Sequence, residues 1–497
     1  MKKLLLFAVA VSLVLTLSAC SKKTYEIALI TDVGTVTDKS FNQGAWEGVE
    51  KYAKEFDKTY KYYQPSDQNT DEYMKMIKQA VDNGAKIIVT PGFFFSNTIW
   101  LAQDKYPDVK FILLDAEPNN VTNWDTDPWE TMEDAAPSFT QNDNVLSIYY
   151  TEHESGFLAG YAAVKDGFED LGFMGGMAVP AVVRFGIGFV AGAYKAADEM
   201  GLTNFAFAPS HYVYLNSFAP SDETKTMAGA WFSAGVEAIF AAAGGAGNSV
   251  MAAAQDTTGK WAIGVDVDQS NLSARVLTSA MKGLGTAVKG ALADFYADEF
   301  QGGVSVTLGA AEDAIGLPTA AGSWRLTTFT TANYNTIFGL LSAGTIVVPT
   351  DAAGLQTFVT GLGYTWNAAL TEAVTTDKKS TGFLDKLNSG IDTFLNDLDT
   401  PGFRTALAMH MEAKNGGDIT SVLFEGMKVK KKAKKDALAA HANNLAVSKA
   451  ELEINGKSHK WPKAHDLVDL GISRTLQGVG LFPELTVLEN VMIGDNK

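Results

Sequence analysis

The run Glu26-Ile27-Ala28-Leu29-Ile30 continues directly into Thr31-Asp32-Val33-Gly34. A short, β-rich apolar run that ends in a polar turn with glycine predicts a strand of an α/β sheet. In such sheets the ligand-binding groups lie beyond the carboxyl ends of the strands, where side chains and free helix N–H groups converge. The stretch therefore predicts the first strand of an α/β domain, with Asp32 at its ligand-binding edge.

The same pattern recurs from Tyr25 to about Ser270, where short β-rich runs alternate with amphipathic stretches. The predicted strands are Glu26–Ile30, Lys61–Gln64, Lys86–Thr90, Lys110–Leu114, Val145–Tyr149, Gly172–Gly175, Ala238–Ala242 and Trp261–Val265. Helical stretches lie between them, such as Asp71–Asn83, which is followed by the stop signal Gly84. This alternation is typical of βαβ units and a mostly parallel sheet.

Several strand-to-helix turns are rich in residues that recognise ligands rather than pack. They are Thr31–Gly34, Thr90–Gly92, Asp115–Glu117, Gly175–Met177, Ala243–Gly245 and Asp266–Asp268. One set precedes about residue 145 and the other follows it. The repetition predicts two similar lobes with a cleft between them.

The N-terminus predicts export. Lys2 and Lys3 precede an apolar run, and Leu17-Ser18-Ala19-Cys20 closes the segment with small residues. This is a signal peptide, shorter than the roughly 20 apolar residues that a membrane-spanning helix needs. Cys20 is the single cysteine of the chain and stands where bacterial lipoproteins are processed, so it is the predicted lipid attachment point. An ordinary secretory peptide with a chance cysteine is the alternative.

Composition limits the partners. The net charge of the 497 residues is −17, and removal of Lys2 and Lys3 with the signal peptide makes it −19. A strongly acidic chain has no field that would attract nucleic acid, so no nucleic-acid partner is expected. With one cysteine there is no disulfide framework, and the body is expected to be held together by its core.

A series of motifs resembles the basic membrane protein (BMP) family of nucleoside-binding ABC transporter lipoproteins. The motifs, in order, are Asp32–Gly34, Thr37–Gly48, Pro91–Phe93, Glu154–Tyr161, Gly175–Met177, Arg184–Phe185, Gly188–Phe189, Ala242–Gly245, Ile263–Gln269, Leu277–Lys282 and Ala343–Asp351. They cover most of residues 25 to 351 in the order of the family.

The resemblance implies an α/β type I periplasmic-binding fold with two Rossmann-like lobes, a ligand cleft and crossing strands. Residues 25–145 are expected to form the first lobe, 146–270 the second, and 271–351 the return to the first lobe with the hinge crossovers. Residues 352–497 are expected to be a C-terminal, mostly helical extension. The implied protein is anchored by lipid to the cell membrane, faces the periplasm or the exterior, and delivers a purine or related nucleoside to an ABC permease.

The resemblance also implies a set of ligand-binding residues. Phe41 is expected to stack on the base with Asn42 and Asp38 in polar contact, while Phe185 forms a second wall and Asp266 accepts ribose hydroxyl hydrogens. The full predicted set is Asp32, Asp38, Phe41, Asn42, Asp115, Phe185, Gly245, Asp266 and Lys282. The alternatives are core packing for the two phenylalanines, helix capping for Asp38 or Asp115, and a solvated surface position for Lys282.

Two features depart from the family pattern. Thr37 precedes Asp38 where the family usually has a second acid, and Ala178-Val179-Pro180 lacks an expected acid. Residues 471–477 and 481–491 resemble the glutamine-loop region of a branched-chain amino-acid-type ABC ATPase. That segment lacks a phosphate-binding loop, since Asn455-Gly456-Lys457-Ser458 has no preceding glycine at the required turn. No catalysis is assigned to it.

Other chemistries have weak support. Gly186–Ala191 fits the loose dinucleotide fingerprint without a preceding strand, and the six histidines have no metal-ligand spacing, so neither a cofactor nor a metal is expected. The chain is therefore predicted to be a binding protein and not an enzyme. Two rivals remain: a nucleoside hydrolase that uses Asp266 and Asp268, and a sensor that binds a sugar or another small solute.

Overall fold

Twelve of the strands lie in two six-stranded sheets of a computed structural model that describes residues 23–32, 34–123, 130–132, 136–375, 452–454 and 457–459. The strands are β1 (Ile27–Ile30), β2 (Tyr60–Tyr63), β3 (Ile87–Pro91), β4 (Lys110–Leu114), β5 (Val121–Asn123), β6 (Glu130–Thr131), β7 (Val145–Tyr150), β8 (Leu171–Gly175), β9 (Tyr212–Tyr214), β10 (Ala238–Ala242), β11 (Trp261–Asp266), β12 (Val276–Lys282), β13 (Val304–Leu308), β14 (Ile315–Gly316), β15 (Leu452–Ile454) and β16 (Lys457–His459).

The α-helices are α1 (Phe41–Glu55), α2 (Thr70–Asp82), α3 (Ser96–Lys105), α4 (Glu152–Lys165), α5 (Pro180–Met200), α6 (Asp222–Ala234), α7 (Gly247–Asp256), α8 (Leu284–Tyr296), α9 (Thr331–Ser342), α10 (Ala352–Gly361) and α11 (Ala368–Thr375). All eight strands expected from the sequence are present, each within one residue at either end. The helix expected over residues 71–83 is α2, which starts where the Asn69 side chain accepts a hydrogen bond from the backbone N–H of Glu72.

The two sheets have matching strand orders. The first runs β13-β7-β4-β3-β1-β2 and the second β14-β12-β11-β10-β8-β9, so β1 to β4 and β7 correspond to β8 to β12. Every pairing within these sheets is parallel except that of β12 with β14. The central strands are buried on both faces, as parallel sheets with helices on each side require. The two sheets form the two lobes expected from the sequence.

The chain returns to the first lobe later than expected. Residues 271–351 were assigned to that return, yet β12 joins the second sheet beside β11, with Val265 opposite Ala280. Only β13 goes back to the first sheet, beside β7. Thr278 and Ser279 are buried within β12. The sequence pattern did not predict this core strand because it contains these polar residues.

Glycines bring two helix pairs together. The helix after the first strand of each sheet packs against a helix that follows a crossover: α1 packs against α8, and α5 packs against α4. A Cβ on Gly48 of α1 would lie 2.6 Å from the Gly285 carbonyl oxygen of α8. A Cβ on Gly160 of α4 would overlap the Phe189 carbonyl oxygen of α5. Because only glycine permits such close backbone contact, these positions allow α1 and α5 to pack closely against their partner helices.

The C-terminal boundary of the body also differs from the expectation. Residues 352–375 were assigned to the extension, but α10 packs on α5, and α11 packs beside β9. Leu355, Val359 and Leu370 are fully buried, and the Tyr214 hydroxyl donates to the Val374 carbonyl oxygen at 2.7 Å. These helices belong to the folded body because they cover an edge of the second sheet.

The chain divides into two units, residues 1–379 and 380–497. In the second unit the described residues form the antiparallel pair β15 and β16. The predicted signal peptide with Cys20 and the segments 471–477 and 481–491 that resemble an ABC ATPase lie outside the described residues. Within the described part of the chain, none of the helices combines the length and the apolar character needed to span a bilayer.

Candidate ligand-binding site

A cavity of about 720 Å³, including solvent at its mouth, lies between the carboxyl ends of the two sheets. All nine residues predicted as ligand-binding line it: Asp32, Asp38, Phe41, Asn42, Asp115, Phe185, Gly245, Asp266 and Lys282. They come from both lobes and from positions 250 residues apart in the chain.

The start of α1 holds the polar wall of the first lobe. The Asn42 amide nitrogen donates to Asp32 Oδ1 at 2.9 Å and to Asp38 Oδ2 at 3.0 Å. The Asp38 carboxylate also accepts the backbone N–H groups of Ser40, Asn42 and Gln43. Asp38 therefore caps the helix, as its alternative interpretation required, and lines the cavity as well.

Asp115 and Asp266 occupy equivalent positions in the two lobes. Asp115 directly follows β4, Asp266 ends β11, and both have a positive φ, at 59° and 67°. This backbone conformation is uncommon for non-glycine residues, although Asp tolerates it better than most. The Ser40 hydroxyl donates to Asp266 Oδ2 at 2.5 Å, so the residue that precedes α1 in the first lobe contacts the carboxylate of the second.

Lys282 lies between these two carboxylates and is buried, which excludes a solvated surface position. Its Nζ is 2.6 Å from Asp115 Oδ2 and 3.5 Å from Asp266 Oδ1. The same ammonium is 4.5 Å from the centre of the Phe41 ring and 5.3 Å from that of Phe185. Burial favours the neutral amine, but the surrounding carboxylates outweigh it and raise the pKa of Lys282 above its usual value.

Glu152 completes the charge cluster, and sequence reasoning missed it. It is fully buried at the first residue of α4, and its Oε2 accepts a hydrogen bond from Arg184 Nε at 2.7 Å. Its Oε1 lies 3.7 Å from Lys282 Nζ. Burial raises the pKa of Glu152, but Arg184 and Lys282 outweigh this and hold it below its usual value. Burial raises the pKa of Asp115 to about 7 and also raises that of Asp266.

The aromatic walls include more residues than predicted. Phe41 is partly exposed to the cavity, whereas Phe185 is 2% exposed and also packs edge-on against Phe240, with ring centres 5.8 Å apart. Phe185 is therefore both a core residue and a cavity wall. The rings missed from the sequence are Phe93, Phe94 and Phe218. The triplet Phe93–Phe95 directly after a strand end was the available signal for two of them.

The second lobe contributes an apolar surface and a close backbone turn. Val179, Ala181 and Val182 line the cavity at the segment where the family pattern predicts an acid. The turn Gly244–Ala246 is a single 3₁₀ turn, and a Cβ on Gly245 would lie 3.1 Å from the Phe218 carbonyl oxygen. The small residue thus allows the chain to pass close to Phe218 at the edge of the cavity.

Two other motifs have structural roles. Asp268 does not line the cavity; its carboxylate accepts hydrogen bonds from the Ser323 hydroxyl and the Ser270 backbone N–H. The fingerprint segment Gly186–Ala191 lies inside α5, where a Cβ on Gly188 would overlap the His153 carbonyl oxygen of α4. Its glycines serve helix packing. No group of three or more potential metal ligands occurs among the described residues.

Two mostly parallel sheets of matching order with a lined cleft between them are the architecture of solute-binding proteins with a periplasmic-binding fold. A solved ABC transporter system solute-binding protein from Aeropyrum pernix K1 has the same fold, with a TM-score of 0.54 and 23% identity over 70% of this chain and 99% of that chain. The chain belongs to the family of PnrA-like ABC transporter substrate-binding proteins, which matches residues 26–334. The resemblance of residues 25–351 to the basic membrane protein family is thereby confirmed.

Two relatives illustrate the family. The CD4+ T-cell-stimulating antigen of Listeria monocytogenes is 31% identical over 319 residues, which cover 60% of this chain and 81% of the antigen. The ABC transporter nucleoside-binding protein BmpA of Lactococcus lactis is 29% identical over 309 residues, which cover 58% and 79%. The family gives this chain a solute-binding role outside the cytoplasm, a small-molecule ligand and an ABC permease as partner. Substrate-binding proteins are not a class of enzyme.

Proposed function

We propose that the chain captures a purine or related nucleoside in this cavity and delivers it to the permease, anchored to the membrane through a lipid on Cys20. The observation that carries the proposal is the combination of aromatic rings with buried carboxylates in one cleft. A nucleoside has a flat π face together with hydroxyl and N–H donors. The rings of the cleft complement the π face, and the carboxylates complement the donors. The similarity to a nucleoside-binding protein of Lactococcus lactis supports the same ligand class.

In the proposed complex each lobe supplies part of the recognition. Phe41 stacks on the base, and Asn42 with its two aspartates contacts the base edge from the first lobe. Asp266 accepts ribose hydroxyl hydrogens from the second lobe. A ligand that bridges both lobes shifts the population toward the closed form, because it gains contacts there that the open form lacks.

Capture without turnover is favoured over hydrolysis. The hydrolase alternative needed Asp266 and Asp268 to act as a pair of acids on one substrate. Asp268 hydrogen-bonds with Ser323 and Ser270 instead of lining the cavity. Asp266 thus has no partner from that pair at the cavity wall.

Calorimetry with inosine, guanosine, adenosine, ribose and glucose tests the ligand, with chromatography of each mixture for released base. We expect nucleosides to bind and to be recovered intact. Phe41→Leu should weaken binding by about 5- to 150-fold, since stacking of a base on a ring contributes about 1–3 kcal/mol. Phe56→Leu, which changes a 49% exposed ring just beyond the end of α1, is the matched control and should bind normally. Binding of a sugar alone, or release of free base, would overturn the proposal.

The lipid anchor has its own test. The test is phase separation in detergent of the full chain expressed in a bacterial host. The chain should partition into the detergent phase, and mass spectrometry should find a diacylglyceryl group on Cys20. Cys20→Ser should release the protein into the aqueous phase, because no other cysteine is available for attachment. Equal partition of the two proteins would exclude anchoring through this residue.

A further inference from the structure

Glu152 lies behind the cavity, at the point where the chain crosses from β7 of the first sheet into α4. It contacts Arg184 of α5 with one carboxylate oxygen and Lys282 at the end of β12 with the other. Residue 282 precedes the second crossover, into α8. Glu152 therefore ties together two crossovers and the helix that carries Phe185.

The buried charges of this cluster do not balance. Asp115, Glu152 and Asp266 are carboxylates, whereas Lys282 and Arg184 are the two cations. Within the described part of the chain, Asp115 Oδ1 and Glu152 Oε1 accept no hydrogen bond. When all three carboxylates are ionised, one negative charge is in excess in a site of low polarizability, where a change at one carboxylate strongly affects its neighbours.

We propose that Glu152 is a positioning residue for ligand binding: by holding Lys282 and Arg184 it sets the charge state of Asp115 at the cavity wall and makes ligand affinity depend on pH near neutrality. The inference rests on the proposed function, since it needs a ligand that donates hydrogen bonds. The titratable and charged groups around Asp115 and Glu152 are Lys282, Arg184, Asp266, Tyr149, Tyr150 and His153.

The sign of the effect follows from the contacts. Burial is the main cause of the raised pKa of Asp115; together with the charge of Glu152, and against the opposing effect of Lys282, it brings that pKa to about 7. Asp115 lines the cavity, and an ionised carboxylate there accepts a hydrogen bond from a ligand N–H or O–H group better than a protonated one does. Affinity should therefore weaken by about 10-fold or more as the pH falls through neutrality. This is the loss expected when one hydrogen bond to a charged group is removed.

Two substitutions separate the effect of the Glu152 charge from the effect of its side-chain length. E152Q removes the charge but keeps an oxygen for Arg184, so the midpoint of the affinity-against-pH curve should move to lower pH. E152D keeps the charge but shortens the side chain, so affinity should fall while the midpoint stays close to that of the wild type. The matched control is E199Q, which removes a contact to Lys165 near the far end of α5. It should retain both the affinity and the pH profile.

The measurement is the Kd for guanosine by calorimetry from about pH 5.5 to about pH 8.5, a range that spans the titration of Asp115, with circular dichroism to verify folding. A wild-type Kd that is independent of pH, or an E152Q profile that coincides with the wild type, would overturn the inference. If no nucleoside binds the wild type at any pH, the proposed function fails. The pH dependence of the ligand-free melting temperature, whose midpoint should move to lower pH in E152Q, then tests the inference separately.

Discussion

Gly48→Ala tests the contact between α1 and α8. The new Cβ would lie 2.6 Å from the Gly285 carbonyl oxygen and 2.8 Å from its Cα. Carbon atoms pack best at about 3.5–4.0 Å, so the helices must separate by roughly 0.7 Å or more. Gly285 has no side chain that could move aside, and the cost of such overpacking is about 1–3 kcal/mol.

Gly290→Ala is the matched control, because Gly290 lies on the exposed face of α8 with no atom within 4 Å of its would-be Cβ. It should be stabilising by about 1 kcal/mol through helix propensity alone. Unfolding entropy near 2.1 cal/mol/K per residue gives about 0.7 kcal/mol/K for a body of about 350 residues. We therefore expect Gly48→Ala to melt at least about 1.5–4 °C below Gly290→Ala by circular dichroism. Equal melting temperatures would refute the close-contact reasoning.

Three further changes have defined outcomes. Lys282→Met should cost about 3–5 kcal/mol of unfolding free energy in urea titrations, because it leaves buried carboxylates without their cation; Lys289→Met, at a half-buried surface pair with Glu55, should cost about 0–1 kcal/mol. The pKa of Asp115 is raised to about 7 from an unfolded value of about 3.9. Its stabilising contribution is therefore complete below about pH 4 and is lost as the pH rises through 7, so the melting temperature should decline over this range. Asp115→Asn should make this decline smaller. A chain that stops after residue 351 should lose several kcal/mol or fail to fold, since it lacks the buried faces of α10 and α11; one that stops after residue 375 should melt like the full chain, and identical melting of the two truncations would contradict their role in the body.

The strands that could be predicted from the sequence are those whose buried residues are apolar. Ile27–Ile30 and Ala238–Ala242 are continuous apolar runs, and both are central strands. β12 was missed because Thr278 and Ser279 interrupt its pattern, although both are buried. The sheet that β12 joins depends on contacts with β11, and local sequence carries no information about them.

The cavity residues also divide into those that could be predicted from the sequence and those whose role depends on distant contacts. Strand-end turns and a family resemblance were sufficient to predict nine residues that line one cavity. Glu152 was not predicted because, read locally, it is an acid in the first turn of a helix, where the helix dipole alone explains it. Its role depends on Arg184 and Lys282, which reach it only through the folded crossovers. The pairing of distant charges is therefore the part of the site that sequence reasoning could not supply.

In the part of the chain that the structure describes, the backbone passes between the two sheets three times: after β7, after β12, and between β13 and β14. A protease cut in any one of these passages leaves the lobes covalently joined by the other two. Nicked molecules should accordingly keep their size under native chromatography and separate into fragments only under denaturing conditions. A protein that works outside the cytoplasm should thus tolerate a protease cut in any one of these passages, which are also the segments that bend in the proposed lobe closure.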